Sequence, residues 1–138
     1  MPKRLTLKLP ENPLQLDHEI IDGFNSKEHY IPLARKVCSL KKQLNLSERD
    51  LAARLNISKT EIHRMVILAE KTPTNIQDTA VKHCTDKYVL LDLYDIKSYS
   101  VKYRLSQRVL AGRIVTRGQF RAERSLIQEG DNNGSHCE

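Results

Sequence analysis

Tryptophan is absent from the 138 residues and phenylalanine occurs only twice, so Leu, Ile and Val must build any core. Glycine is scarce, at five residues, and no glycine-rich loop is present to cradle a phosphate. The three cysteines, Cys38, Cys84 and Cys137, are widely spaced and odd in number. Without a CxxC pair they argue against a disulfide framework or a zinc finger. Cys38 and Cys84 are expected to be buried as small apolar residues. No apolar run approaches the roughly 20 residues that a membrane-spanning helix needs, and the start lacks the apolar stretch of a signal peptide. A cytoplasmic chain with no membrane partner is therefore expected.

What is present is a basic balance. Lys and Arg number 23 against 17 Asp and Glu, giving a formal charge of +6 and a pI near 9.3. This suits a polyanionic partner. Hydrophobic residues at 39% and charged residues at 29% support a modest core under a well-solvated surface.

The stretch 46–69 organises the chain and reads as a helix-turn-helix at 47–69. Ser47 is placed as an N-cap, with Asp50 three residues on as a variant capping box. Leu51, Ala52 and Leu55 recur at helical spacing, and Ala52 is small where two crossing helices need close approach. Asn56 suits the left-handed residue of a tight turn, and Ile57 returns toward the core. Ser58 caps a second helix, in which Ile62, Met65, Val66 and Ala69 face inward. Lys59, Thr60, Glu61, His63, Arg64 and Ile67 are left outside. A recognition helix needs such an outward set, with polar side chains at its N-terminal half for base edges in a major groove. Ser58 and the first N–H groups lie at the positive end of the helix dipole, where a phosphate is favoured. The plainer reading is a helical hairpin with a solvated polar face. The joint pattern of caps, short polar turn and apolar positions favours DNA binding.

The flanking chain is expected to be all-α. Residues 1–25 form an arm, in which Leu5, Leu7 and Leu9 alternate as in a short strand. Leu14, Leu16, Ile20, Ile21 and Phe24 suit a short helix or extended strip. A helix starts at Asn25 or Ser26 and runs to about Leu44, with Tyr30, Leu33, Ala34, Val37 and Leu40 in phase and Pro32 near its first turn. After a break at Pro73, Thr74 caps a helix to about Cys84, with Ile76, Ala80 and Val81 inward. Thr85 or Asp86 caps the next, with Val89, Leu90, Leu93 and Tyr94 apolar. Ser98 or Ser100 starts a helix to about Ala111, which Gly112 stops. Thr116 caps the last, with Phe120, Ala122 and Ile127 inward. One helical DNA-binding domain, 26–128, precedes a disordered tail at 129–138.

Between Lys97 and Arg124 there are eight basic residues and a single acid, Glu123. Arg104 and Arg108 are one helical turn apart, and Arg117, Arg121 and Arg124 form a second stripe. Such a block grips a nucleic-acid backbone or simply keeps a helical face solvated. The candidate DNA-binding residues are thus Ser47, Ser58, Lys59, Thr60, Glu61, His63, Arg64, Arg104, Arg108, Arg117 and Arg121.

The order of these elements resembles the central DNA-binding domain of the ParB/KorB family of partition proteins and repressors. The likeness rests on Leu-Ser-Glu-Arg-Asp-Leu-Ala-Ala-Arg-Leu-Asn-Ile-Ser-Lys-Thr-Glu-Ile-His-Arg-Met, the proline break at 71–76, and Arg108-Val-Leu-Ala-Gly-Arg-Ile-Val-Thr-Arg-Gly-Gln-Phe-Arg. It spans about 26–125. The resemblance implies an all-helical domain that reads a palindromic or repeated duplex site as a homodimer. Asn56 stands where that family has the glycine of the turn. Nothing matches the family's Gly-x-x-Arg-Arg nucleotide motif, so neither CTP binding nor a clamp is carried over. A stand-alone domain of this kind looks like a plasmid, phage or mobile-element regulator, nucleoid- or plasmid-associated.

Competing chemistry is thin. His83 and Cys84 are neighbours and point about 100° apart on a helix, so they do not form a nucleophile pair. Asp92 and Asp95 lack a third metal ligand at suitable spacing. No catalysis, cofactor or metal is expected. The alternatives to a transcriptional repressor or activator are a partition or DNA-organising protein and a helical protein–protein adaptor.

Overall fold

The computed structural model describes residues 13–26 and 29–137, with side chains from 14 to 128. It is all-α: no strand occurs among the described residues. The helices are α1 (Pro13–Ser26), α2 (Tyr30–Leu44), α3 (Glu48–Leu55), α4 (Lys59–Val66), α5 (Thr74–His83), α6 (Lys87–Asp95), α7 (Tyr99–Leu110) and α8 (Arg117–Cys137). The chain divides into two compact units, Met1–Glu70 and Lys71–Glu138, where the sequence suggests a single domain over 26–128. No described helix is long and apolar enough to cross a membrane.

In the first unit α2 is the hub, packing against α1 and α4, while α3 packs on α4. Its core joins Leu16 and Ile20 of α1, Val37 and Leu40 of α2, Leu51 of α3 and Ile62 of α4, all without solvent exposure. Burying one such Leu or Ile stabilises by about 1.5–3 kcal/mol, and truncation to Ala costs about 2–5 kcal/mol because a cavity remains. Of the two forms expected for Leu14–Phe24, the helix is present: α1 is a packed element, and Arg54 of α3 holds its Asp17 through two guanidinium nitrogens at 2.7 to 3.1 Å. This hydrogen bonding raises the Arg54 pKa further and keeps it charged. The alternating Leu5, Leu7 and Leu9 lie outside the described residues.

Helix starts and stops follow local chemistry. The start expected at Asn25 or Ser26 falls instead at Tyr30, because His29 Nδ1 accepts the Ile31 N–H at 3.2 Å and serves as the cap. Pro32 sits in the first turn, where an N–H has no helical partner to lose. Three helices end alike, with a non-glycine residue in the left-handed region: Asn45 (φ 52°), Asn56 (φ 57°) and Cys84 (φ 53°). In each, the next N–H reaches back to the carbonyl five residues earlier: Leu46 to Lys41, Ile57 to Ala52, Thr85 to Ala80. This is the Schellman closure, which satisfies carbonyls left over at a helix end. Gly112 (φ 78°) closes α7 in the same way, with the Arg113 N–H on the Arg108 carbonyl at 2.9 Å.

After Val66 the α4 backbone widens into a π turn, Ile67–Lys71. Counting by 3.6 residues fails there: Leu68 is buried, and Ala69, expected inward, is half-buried.

In the second unit α7 packs against α5, α6 and α8. Val101, Leu105 and Val109 meet Phe120 and Ile127 in a core with Ile114. The Asp86 N–H donates to the Val115 carbonyl at 2.8 Å, tying the two interhelical links together. Asp86 rather than Thr85 caps α6, accepting from the Tyr88 N–H at 2.9 Å. Ser98 caps α7. Thr116 and Gln119 form a reciprocal box at α8: Gln119 N–H donates to the Thr116 hydroxyl, and Gln119 Oε1 accepts from the Val115 and Thr116 N–H groups.

Several expectations are corrected here. Thr74 is the first residue of α5, not its cap; Pro73 takes the cap position and has no side-chain oxygen to offer. Val81, Tyr94 and Ala122 are exposed; Ala122, two residues from Phe120, lies on the side of α8 opposite Phe120 and Ile127. Cys84 is exposed because it has left the helix for the left-handed region. Helix α8 runs Arg117–Cys137, so its backbone pattern carries on into the stretch 129–137. Gly and Asn are weak helix formers but not breakers, so a backbone hydrogen-bond pattern can pass through them. The side chains of 129–137 lie outside the described residues.

Candidate nucleic-acid interface

In the first unit the outward face of α4 follows from its two ends. Ser58 is extended (ψ 148°) and its hydroxyl accepts the Glu61 N–H at 3.1 Å, fixing the first turn. The hydroxyl proton is not used in that bond and remains a donor. Ser47 does the same for α3, accepting from Asp50 N–H at 3.0 Å. Ile62, Met65 and Val66 turn inward, which leaves Lys59, Thr60 and His63 exposed around a shallow open hollow.

The fourth residue of that hollow is Glu48, from the first turn of α3. His63 Nδ1 stands 3.0 Å from its Oε1, so the imidazole is held across the helix pair. Sequence periodicity did not single out Glu48. Its signal was only its place beside the Ser47 cap, and the partner lies 15 residues away. Glu61 and Arg64 are engaged with each other at 3.4 Å, one turn apart on α4. The face is thus mixed in charge, with Lys59 and Arg64 against Glu48 and Glu61.

In the second unit the basic block separates into two groups. Arg104 and Arg108 of α7 line an open hollow with Arg113, and Glu123, Leu126 and Ile127 of α8 complete it. Glu123 lies 2.7 Å from Arg108 Nε and 3.7 Å from Arg113, so one carboxylate serves two guanidinium groups. Arg117 is placed otherwise. It holds Asp92 of α6 at 2.9 and 3.3 Å and covers the Tyr88 ring at 5.1 Å. That hydrogen bonding, with the Asp92 charge, raises its pKa and keeps it cationic. Arg121 is exposed and Arg124 half-buried, so the stripe of Arg117, Arg121 and Arg124 is not one uniform surface. Arg113 joins the hollow because the left-handed Gly112 turns the chain back at the end of α7.

Among the described residues no three His, Cys, Asp or Glu side chains converge as metal ligands. Asp92 is occupied by Arg117, and Asp95 is exposed at the end of α6. Comparison with protein-family models, with curated proteins and with solved structures found no match.

Proposed function

We propose that the chain binds double-stranded DNA in a sequence-specific manner, with α3, the Asn56–Ser58 turn and α4 acting as a helix-turn-helix. The observation that carries this reading is the exposed first turn of α4, fixed by the Ser58 cap and presenting Lys59 and Thr60 beside His63. Capped first-turn residues are the ones that reach base edges when a helix enters a major groove, and the bare N–H groups there suit a phosphate. Glu61 can accept from a cytosine amino group, and Arg64 can donate to guanine or phosphate. Arg104 and Arg108 supply backbone contacts from the second unit.

One recognition helix covers only a few base pairs, so a homodimer on a palindromic or repeated site doubles the reading. In this proposal the protein is a cytoplasmic transcriptional regulator of a plasmid, phage or mobile element, a repressor in preference to an activator, in keeping with the ParB/KorB resemblance. It has no catalytic role.

The test is selection from a random duplex library by the purified protein at near-physiological salt. A two-fold symmetric enriched motif is expected. Binding without an enriched motif, lost as salt rises, would replace this reading with a nonspecific DNA organiser. No binding would leave the helical pair as an adaptor scaffold.

A further inference from the structure

We propose that α7 carries a second nucleic-acid site, one that takes an unpaired strand. Its midline is aromatic: Tyr99 is 81% exposed and Tyr103 55% exposed. One turn apart, their rings lie 6.4 Å between centroids and 24° from parallel. The inward residues Val101, Leu105 and Val109 fix this orientation, since the tyrosines fall opposite them on the helix.

Cations flank the aromatic line on both sides. Arg104 follows Tyr103 directly and is exposed along one edge, while Arg108 lies further round, beside Glu123 of α8. Lys102 lies along the other, its ammonium 5.5 Å from the ring of Tyr94, which is itself 39% exposed. Lys97 is exposed just before the Ser98 cap. Helix α7 contains no Asp or Glu. The acids that face it from neighbouring elements are Glu123, shared between Arg108 and Arg113, and the exposed Asp95 at the end of α6.

Two exposed, stacked rings offer a flat apolar platform, and the flanking charge names the chemistry of what would cover it. A protein partner's apolar helix would meet a rim in which cations outnumber acids, with Glu123 already shared between two arginines. A polyanion with flat apolar faces matches both features. Single-stranded nucleic acid has this character, with bases that stack on tyrosines and phosphates that follow the lysines and arginines. Bases within a duplex are already stacked on each other and expose only their edges, so the tyrosine pair selects unpaired nucleotides. This site is on α7 and does not depend on the α4 reading.

The test uses the full chain and a fluorescein-labelled oligo-dT of about 15 nucleotides, followed by anisotropy at near-physiological salt. Binding should weaken about tenfold or more in the Tyr99→Ala/Tyr103→Ala double variant, a factor within the range of base–aromatic stacking. The Tyr99→Phe/Tyr103→Phe variant should retain affinity, because phenyl rings stack without the hydroxyl. Alanine is the better helix former, so the double variant should keep α7, checked by its circular dichroism. The protein has five tyrosines and no tryptophan. Its intrinsic emission therefore reports the rings directly, and oligo-dT should quench it in the wild type and less in the alanine variant. Equal oligo-dT affinity in wild type and alanine variant overturns the proposal. A fall from dimer to monomer in sedimentation with oligo-dT binding unchanged also overturns it and gives the face to a second copy. Duplex selection with an Arg64→Ala control runs separately, so failure of the helix-turn-helix reading leaves this result intact, and the reverse.

Discussion

His63 of α4 is held 3.0 Å from Glu48 of α3, so the exposed imidazole is positioned by the neighbouring helix's first turn. The same carboxylate borders the hollow that Lys59 and Thr60 share. A negative charge there opposes a phosphate backbone while giving the imidazole a fixed direction. Glu48→Gln keeps the shape and a hydrogen-bond acceptor but removes the charge. Duplex affinity is expected to rise by a few-fold, more at low salt than at high salt, where charges are screened. An electrophoretic mobility titration at two salt concentrations reads it. Unchanged affinity at both would place the duplex away from this hollow.

Ser58 allows the structural role of the α4 N-terminus to be tested apart from its proposed role at DNA. Its hydroxyl caps Glu61 N–H at 3.1 Å. Ser58→Ala should cost about 0.5–2 kcal/mol in a urea unfolding curve, the usual loss of an N-cap. Ser58→Asp should hold wild-type stability, since aspartate caps as well as serine. Yet the added carboxylate sits where a phosphate would dock, so Ser58→Asp should abolish duplex binding. A stable Ser58→Asp protein that binds DNA normally would remove the α4 N-terminus from the interface.

The parts of the fold that were legible in the sequence are those fixed by short-range chemistry. Ser47, Ser58, Ser98 and Thr116 declare helix starts because their oxygens reach an N–H two or three residues on, and all four do so. Asn56 was readable as a left-handed residue because asparagine tolerates that region better than most residues with a Cβ. Long-range pairings were not readable. Asp17 with Arg54, and Asp92 with Arg117, lie 37 and 25 residues apart and depend on how helices pack. Arg117 therefore looked like a member of a basic stripe, whereas it clamps α6. His29 as a cap was missed because imidazole is an uncommon capping group, and Cys84 in the left-handed region because glycine or asparagine usually marks that position. The interior stripes failed at Val81, Tyr94 and Ala122, which are exposed, Ala122 because it faces away from Phe120 and Ile127.

Cys84 carries backbone strain that glycine would relieve. A non-glycine residue at φ 53° crowds its Cβ against the backbone, at a cost of about 1–2 kcal/mol. The thiol is exposed, so little packing is lost with it. Cys84→Gly should raise stability by up to about 1 kcal/mol, and Cys84→Ala should not, because alanine keeps the Cβ. Thermal unfolding of the two variants side by side makes the comparison. Equal midpoints would mean that α5 closes without strain at this residue.

The two described thiols should also differ in reactivity. Burial, and then the nearby Glu70 carboxylate, push the Cys38 thiol up from 9.0 to about 12, so no reactive thiolate forms there at neutral pH. In a Cys137→Ser background, a disulfide reagent at pH 8 should modify one thiol quickly, at Cys84, and reach Cys38 only on unfolding. The pH dependence has a definite sign. Between about pH 9 and 12 the unfolded chain releases the Cys38 proton while the folded chain keeps it. The unfolded state then binds fewer protons, and stability falls as pH rises through that window. Cys38→Ala should flatten that decline. If the decline keeps its slope in the variant, another group causes it.

Salt dependence sorts the arginines of the second unit by what already holds them. Arg117 grips Asp92 through two nitrogens and lies over Tyr88, so its charge is committed inside the unit. Arg104 and Arg108 open onto the hollow beside Arg113, where Glu123 offsets only part of the positive charge. A cation that neutralises a phosphate releases a counterion, and its loss reduces the slope of log affinity against log salt by about one. Arg104→Gln should flatten the duplex-binding slope by about that amount, and Arg108→Gln by less, because Glu123 holds Arg108 at 2.7 Å. Arg117→Gln should leave the slope alone and instead lower the unfolding midpoint, because Asp92 loses its partner. If Arg117→Gln flattens the slope and leaves stability unchanged, its pairing with Asp92 gives way to DNA, and the outer face of α8 becomes part of the interface.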